Sequence, residues 1–368
     1  MKLPVQDLRA RRGAIALILA LAAAIGAPAG AQQTQPPPQR TAAASKPLKP
    51  AVPPAAAEQK PPSALAIAES TDLLAGLPPY LPKAPVSGEI KLAGSSAMNQ
   101  LALLWASGLH HVHPDTKVEV DMYESGLVLP RLAKNEMQIG LMSRPLTDQE
   151  LKSGGVVALA TAKDVLGVIV HPDNPLEHLT LENGMQILGD PQAAQNPGAK
   201  TWGELGLKGE WAKLPITLYG RSSGTGAWGY LTNRFLGEGA ASRTGTDCSG
   251  YADICKLVAK DRSGVGYLSL SLSPPNPQKV LPLVLNTGEV IPPPRYGEPV
   301  DPRYPLVRQL YVVIKWKEGE PLPPIAEELL RYVLSRAGQE DAIKAGFLPL
   351  RRDEVLASRD QLGWNGAR

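Results

Sequence analysis

The chain has 368 residues, enough for two domains of ordinary size, with 38 Lys and Arg against 35 Asp and Glu. Lys2, Arg9, Arg11, Arg12 and Asp7, all within the first 31 residues, account for the whole formal charge of +3. The remainder is close to neutral, which gives no support for binding nucleic acid or an anionic membrane.

Those first residues read as a secretory signal peptide over 1–31. A basic start is followed by an apolar run from Ala14 to Ile25, too short for a membrane span, and by small residues at Ala29-Gly30-Ala31. Without a Cys at the cleavage position, no lipid anchor is expected. Residues 32–86 are dominated by Pro, Ala, Gln and Lys, with Pro36-Pro37-Pro38 and Pro53-Pro54 favouring extended chain. They are expected to form a disordered linker that could hold the folded part off a membrane or wall.

From Gly88 the texture becomes α/β. Strands are expected over 89–93, 117–123 and 138–142, each ending in a turn that carries serine: Ser95-Ser96, Glu124-Ser125-Gly126 and Ser143-Arg144. Met98, Leu101, Leu104 and Trp105 draw one apolar stripe along a helix after the first turn. Thr147 and Glu150 stand at capping-box spacing. Residues 156–160 and 165–170 read as two separate strands, and 181–188 as a helix. The run 214–219 leads into Tyr219-Gly220-Arg221-Ser222-Ser223-Gly224-Thr225 and a helix to Leu236. Helix over 251–260, strands over 264–268 and 307–315, and helices over 325–335 and 340–345 follow, with an exposed tail after Pro349.

Alternating strands and helices predict mostly parallel sheets flanked by helices. In such sheets ligands sit beyond the carboxyl ends of the strands, which is where all four Ser-bearing turns fall. A strand, a Ser/Gly turn and a helix start make an anion cradle of hydroxyls and free N–H groups.

Cys248 and Cys255 are the only cysteines, and in an exported protein they are expected to form a disulfide. Two helical residues seven apart lie about 10 Å from each other, so Cys248 should precede the helix that carries Cys255. His110, His111 and His113 carry no metal-ligand spacing and are read as helix-end or exposed residues, so no metal is expected. No Gly-Lys-Ser/Thr sequence suggests nucleotide hydrolysis, and no general base accompanies Ser95 or Ser223. The reading is therefore non-enzymatic, with no cofactor.

Taken together, several stretches resemble the phosphate-binding PstS family of ABC-transporter components. They are Leu92-Ala93-Gly94-Ser95-Ser96, Tyr123-Glu124-Ser125-Gly126, Met142-Ser143-Arg144-Pro145-Leu146, Tyr219 to Thr225, Gly264-Val265-Gly266-Tyr267, Tyr304-Pro305-Leu306-Val307-Arg308 and Ser335-Arg336-Ala337-Gly338-Gln339. The resemblance covers about 88–350 in order. It implies a two-lobed, hinged periplasmic-binding-protein fold of type II, with lobe 1 from 87–163 and 309–350, lobe 2 from 164–308, and a tail over 351–368.

Carried over by position, Ser95, Ser96, Ser125, Ser143, Arg221, Ser223, Gly224 and Thr225 would hold phosphate. The spacing from Arg221 to Gly224 is shorter than in many members, and Ala97 stands where many carry a Thr. Ser143-Arg144 also lacks the carboxylate that often faces the phosphate proton, so Glu124 or a backbone carbonyl is expected to replace it.

Three helix N-termini, at roughly half a charge each, would supply about 1.5 positive units. The resemblance further implies a monomer in the periplasm or outside the cytoplasm, read by an ABC permease complex in the inner membrane. Binding of sulfate or molybdate, or a surface role without transport, are the alternatives.

Overall fold

The computed structural model describes residues 73–152, 155–274, 279–294 and 300–364. All of them belong to one unit, Lys60–Arg368. The expected leader, and the linker up to residue 72, lie outside the described residues.

In chain order the strands are β1 Gly88–Ser95, β2 Thr116–Tyr123, β3 Ile139–Met142, β4 Val156–Val170, β5 Thr217–Gly220, β6 Thr246–Asp247, β7 Gly264–Ser269, β8 Leu283–Val284, β9 Val290–Ile291 and β10 Val307–Lys315. The helices are α1 Asn99–Val112, α2 Val128–Ala133, α3 Asp148–Lys152, α4 Leu181–Leu188, α5 Gly226–Leu236, α6 Tyr251–Val258, α7 Pro324–Val333, α8 Arg336–Lys344 and α9 Arg352–Asp360.

Eight strands form one sheet in the order β2-β1-β3-β10-β4-β7-β5-β6. β1 runs parallel to β2 and β3, and β5 runs parallel to β6 and β7. Between these parallel sets stand β10 and β4, antiparallel to each other and to their outer neighbours. β4 is one continuous strand rather than the two expected. Its first part pairs with β10 as far as Val165, and Leu166 to Val170 pair with β7. The polar residues between the two expected runs are satisfied by β10: Thr161 Oγ1 donates to the Leu310 carbonyl at 3.1 Å, and Asp164 pairs with Arg308. A register shift between Leu310 and Tyr311 accommodates the change of neighbours.

Each half has its own core. On one side Leu101, Ala102, Trp105 and Leu109 of α1 turn one face onto Leu92, Leu141 and Val312, with Leu329, Leu330 and Val333 of α7 behind them. Trp105 Nε1 donates to the Gly338 carbonyl at 3.1 Å, so its one polar atom is satisfied although the ring is fully buried. On the other side Trp202, Leu231, Phe235, Val265 and Tyr267 pack with Leu218. Full burial of each large apolar side chain contributes about 1.5–3 kcal/mol.

Two segments depart from expectation. Residues 73–86, counted with the linker, lie on the first core: Leu74 and Leu77 are buried in it. Tyr80 Oη donates to Glu328 Oε2 at 2.7 Å and meets His113 Nε2 at 2.8 Å, while the Lys83 N–H serves Glu328 Oε1 at 2.8 Å. Burial and the Glu328 carboxylate push the Tyr80 phenol well above its ordinary pKa. The expected exposed tail forms α9 instead. Val355 and Leu362 are buried in the same core, and Ser358 Oγ donates to the Ala160 carbonyl at 3.0 Å. Trp364 lies under the guanidiniums of Arg331 and Arg359 at 4.5 and 5.7 Å.

Val355→Asp should therefore destabilise the domain by more than about 2 kcal/mol in urea denaturation, because it buries an unpaired carboxylate. An exposed tail would show no such loss.

Candidate functional site

A cavity of about 240 Å³ opens at the carboxyl ends of β1, β2, β3 and β5. Ser95, Ser96, Glu124, Ser125, Ser143, Arg221 and Thr225 line it, so seven of the nine residues singled out in the sequence meet there. Ser223 does not: it is exposed, because the turn between β5 and α5 points it outward. Gly224 lies just outside the lining, and its carbonyl accepts the Gly126 N–H at 3.2 Å.

Three hydroxyls form a chain on the first side. Ser95 Oγ is 2.8 Å from Ser143 Oγ, which is 3.3 Å from Ser125 Oγ, and the Ser143 N–H donates to Ser125 Oγ at 3.2 Å. All three residues are at most 3% exposed. β1 and β3 bring two of them together through a close parallel contact at Gly94. A Cβ there would lie 2.3 Å from the Leu141 carbonyl oxygen, and φ is +143°. Ser96 and Ser125 begin short 3₁₀ turns, Ser96–Met98 and Ser125–Leu127, rather than regular α-helix. Two full α-helices start at the cavity, α5 with Thr225 as its N-cap and α6 with Gly250 as its N-cap.

The second side closes tightly on the first. Ser222 Oγ donates to Glu124 Oε1, and a Cβ on Gly226 would lie 2.2 Å from Ser143 Oγ and 2.8 Å from Ser125 Oγ. Only a residue without a side chain fits between the hydroxyls and α5.

Arg221 is held at its backbone by Tyr267 Oη, which accepts from its N–H and donates to its carbonyl, each at 2.8 Å. Its Nη1 donates to the carbonyls of Cys248 and Ser249. Among the described residues no carboxylate forms an ion pair with it. Arg144, next to Ser143 in sequence, is turned away into a two-pronged pair with Glu150, both bonds 2.7 Å. Burial works against the Glu150 carboxylate, yet Arg144 and the Thr147 N–H hold it below the usual range. Thr147 Oγ1 in turn accepts the Glu150 N–H at 3.2 Å, the reciprocal pair expected from the spacing.

Arg308 also lines the cavity and was not singled out as a site residue. It is fully buried, as is its partner Asp164, directly opposite on β4. Nε and Nη2 donate to Asp164 Oδ2 at 3.0 and 2.7 Å, and Nη1 donates to the Ser143 carbonyl at 2.8 Å. The sequence signal was an arginine inside an apolar strand, where a charge must find a partner. Tyr251 stands beside it; burial pushes its phenol up and the Arg308 guanidinium draws it part of the way back.

The expected disulfide is absent: Cys248 and Cys255 are both free and buried. The Cys248 backbone is committed on both sides, its N–H to the Gly220 carbonyl at 2.8 Å and its carbonyl to Arg221. Its thiol contacts the Thr246 carbonyl at 3.5 Å, while Cys255 packs from α6 among Ile169, Ile254 and Leu268. Burial raises both thiols above their ordinary pKa. Of the three histidines singled out in the sequence, His110 Nδ1 meets the Thr116 carbonyl at 3.0 Å, His113 meets Tyr80, and His111 is exposed. Among the described residues no group of three or more His, Cys, Asp or Glu could hold a metal ion.

The model of the PBP superfamily domain matches residues 82–337. The chain belongs to the PBP superfamily. The phosphate-binding protein PstS of Pseudomonas aeruginosa is 30% identical over 281 residues, covering 74% of this chain and 87% of that protein. Protein SphX of Synechococcus elongatus is 23% identical over 264 residues, 70% of this chain and 76% of its own. The crystal structure of an ABC-type phosphate transport receptor from Vibrio cholerae superposes with a TM-score of 0.55 at 19% identity, covering 72% of this chain and 100% of that one. A possible phosphate binding protein from Planctomyces limnophilus gives 0.53 at 21% identity, covering 77% and 100%.

The two-lobed fold of the PBP superfamily accounts for the split core and the central antiparallel pair, with the cavity between the halves. Gly226→Ala should leave the secondary structure intact but hold the lobes apart. Small-angle scattering is expected to show a larger radius of gyration than for the unchanged protein.

Proposed function

We propose that the chain is a non-enzymatic, extracytoplasmic solute-binding protein that captures inorganic phosphate between its lobes for uptake through an ABC permease complex. The observation that carries this reading is the convergence of Ser95, Ser125 and Ser143 from one side with Arg221 and Thr225 from the other around one cavity. The identity with PstS of Pseudomonas aeruginosa supports it. Hydroxyls and backbone N–H groups match an anion without a crowd of cations, and Arg221, which has no carboxylate partner among the described residues, supplies charge-assisted bonds. The lobes would be 87–163 with 309–350, and 164–308. The hinge falls where β4 and β10 change neighbours, near Thr161 to Val165 and Val307 to Leu310. Export would follow from the leader; among the described residues no helix is long and apolar enough to cross a membrane.

Calorimetric titration should give one-to-one heat with phosphate and weak or no heat with sulfate or molybdate. Absence of heat with phosphate sinks the reading.

Glu124 is the group proposed to receive the phosphate proton. Ser222 occupies Oε1, and Oε2 lies at the closing face beside Gly224. A protonated phosphate oxygen can donate to a carboxylate, whereas sulfate, which has no proton, would be repelled by it. Glu124→Gln should therefore narrow the preference for phosphate over sulfate by about tenfold or more, read by competition binding. An unchanged ratio removes Glu124 from the account.

A further inference from the structure

From its place at the cavity floor, we infer that Arg308 is a second anion-contacting residue and the determinant of how tightly the closed cleft holds its ligand. This rests on the anion reading of the cavity and adds a residue to it. A guanidinium carries five N–H groups in a fixed plane. In Arg308, Nε and one N–H of Nη2 go to Asp164, and one N–H of Nη1 goes to the Ser143 carbonyl. One N–H remains on each of Nη1 and Nη2, with no carboxylate or carbonyl partner among the described residues; the Tyr251 hydroxyl is the neighbouring group that an anion would share them with. The side chain is completely buried, so water outside the protein does not serve them. Arg308 lines the cavity that the three serines and Arg221 share.

Two donors on one rigid plane suit two oxygens of a tetrahedral oxyanion. The charge arrangement suits it as well. Asp164 neutralises Arg308 while the cleft is empty, so the fold buries no isolated cation. Asp164 is itself fixed by Ser269, whose Oγ donates to Oδ1 at 2.6 Å from the end of β7. The guanidinium is thus held from lobe 1 through Ser143 and, through Asp164, from lobe 2. An anion bound to it touches a side chain whose own contacts reach both halves. Arg221, by contrast, is partly exposed and spends Nη1 on two carbonyls of its own lobe.

The test uses phosphate titrations of the mature protein and three variants. Arg308→Gln with Asp164→Asn keeps the pair neutral and hydrogen-bonded while removing the two spare charge-assisted donors. It should weaken phosphate binding by about tenfold or more while circular dichroism stays that of the unchanged protein. Arg308→Lys keeps the charge but loses the planar fork, and should weaken binding by about threefold or more. Ser125→Ala weakens binding whether or not Arg308 takes part, and so reports on the cavity itself. A folded double variant that binds phosphate as the unchanged protein does overturns the assignment of Arg308, with the phosphate reading left standing. Should the double variant not fold, unchanged affinity in Arg308→Lys overturns it instead. No phosphate heat from the unchanged protein removes both the reading and the inference.

Discussion

The ion pair between Arg308 and Asp164 is the constraint on which the rest of the architecture depends. Both groups are fully removed from solvent, and taking two charges out of water costs several kcal/mol per ion unless each is matched in place. The matching is close to complete on the carboxylate, which receives two guanidinium bonds and the Ser269 hydroxyl. Such a pair tolerates little slippage. It fixes β10 against β4 at the step where β4 leaves one lobe's sheet and enters the other's, and it anchors the Ser143 carbonyl to the same point. The relative placement of the three strand ends that carry serines, and of β5 approaching from the other side, follows from that single alignment.

Around this charged point the cavity is built mainly from neutral groups. Ser95, Ser125 and Ser143 bond to one another, so no buried hydroxyl is stranded. Gly224 and Gly226 let the opposing backbone come within reach of Glu124 and the serines, closer than any side chain would permit. Direct bonds from Gly126 N–H to the Gly224 carbonyl and from Ser222 to Glu124 then bridge the gap. The two sides are bridged by direct contacts, while the donors inside keep their places.

What could be read beforehand divides along physical lines. Local signals served well. The stripe on α1, the reciprocal Thr147–Glu150 cap, the limits of α4 and β10 and the serines at the strand ends each depend on neighbours in sequence. The failures are all tertiary. The polar residues of β4 suggested two strands because their partners, Leu310 and Arg308, lie about 145 residues downstream. Arg308 itself stood in a quoted motif but earned no role, since a burial site for its charge is invisible without Asp164 opposite. Two cysteines at short spacing suggested a bond, yet the Cys248 backbone is tied to Gly220 and Arg221, and both thiols stay free within one apolar cluster. Ser223 shared the composition of the turn but not its inward face. The Pro-rich approach and the polar C-terminal run looked featureless by composition, while a few spaced apolar residues, Leu74, Leu77, Val355 and Leu362, suffice to seat both on the core.

The seating of residues 73–86 has a mechanical side. Leu74, Leu77, Tyr80 and Lys83 all make their contacts with the lobe that contains α1 and α7. A pull on the chain ahead of Leu73 is therefore delivered into that lobe's core and to Glu328, without loading the loops that meet across the cleft. One lobe can serve as the mounting and the other as the moving jaw, so opening and shutting need not work against whatever holds the molecule in place.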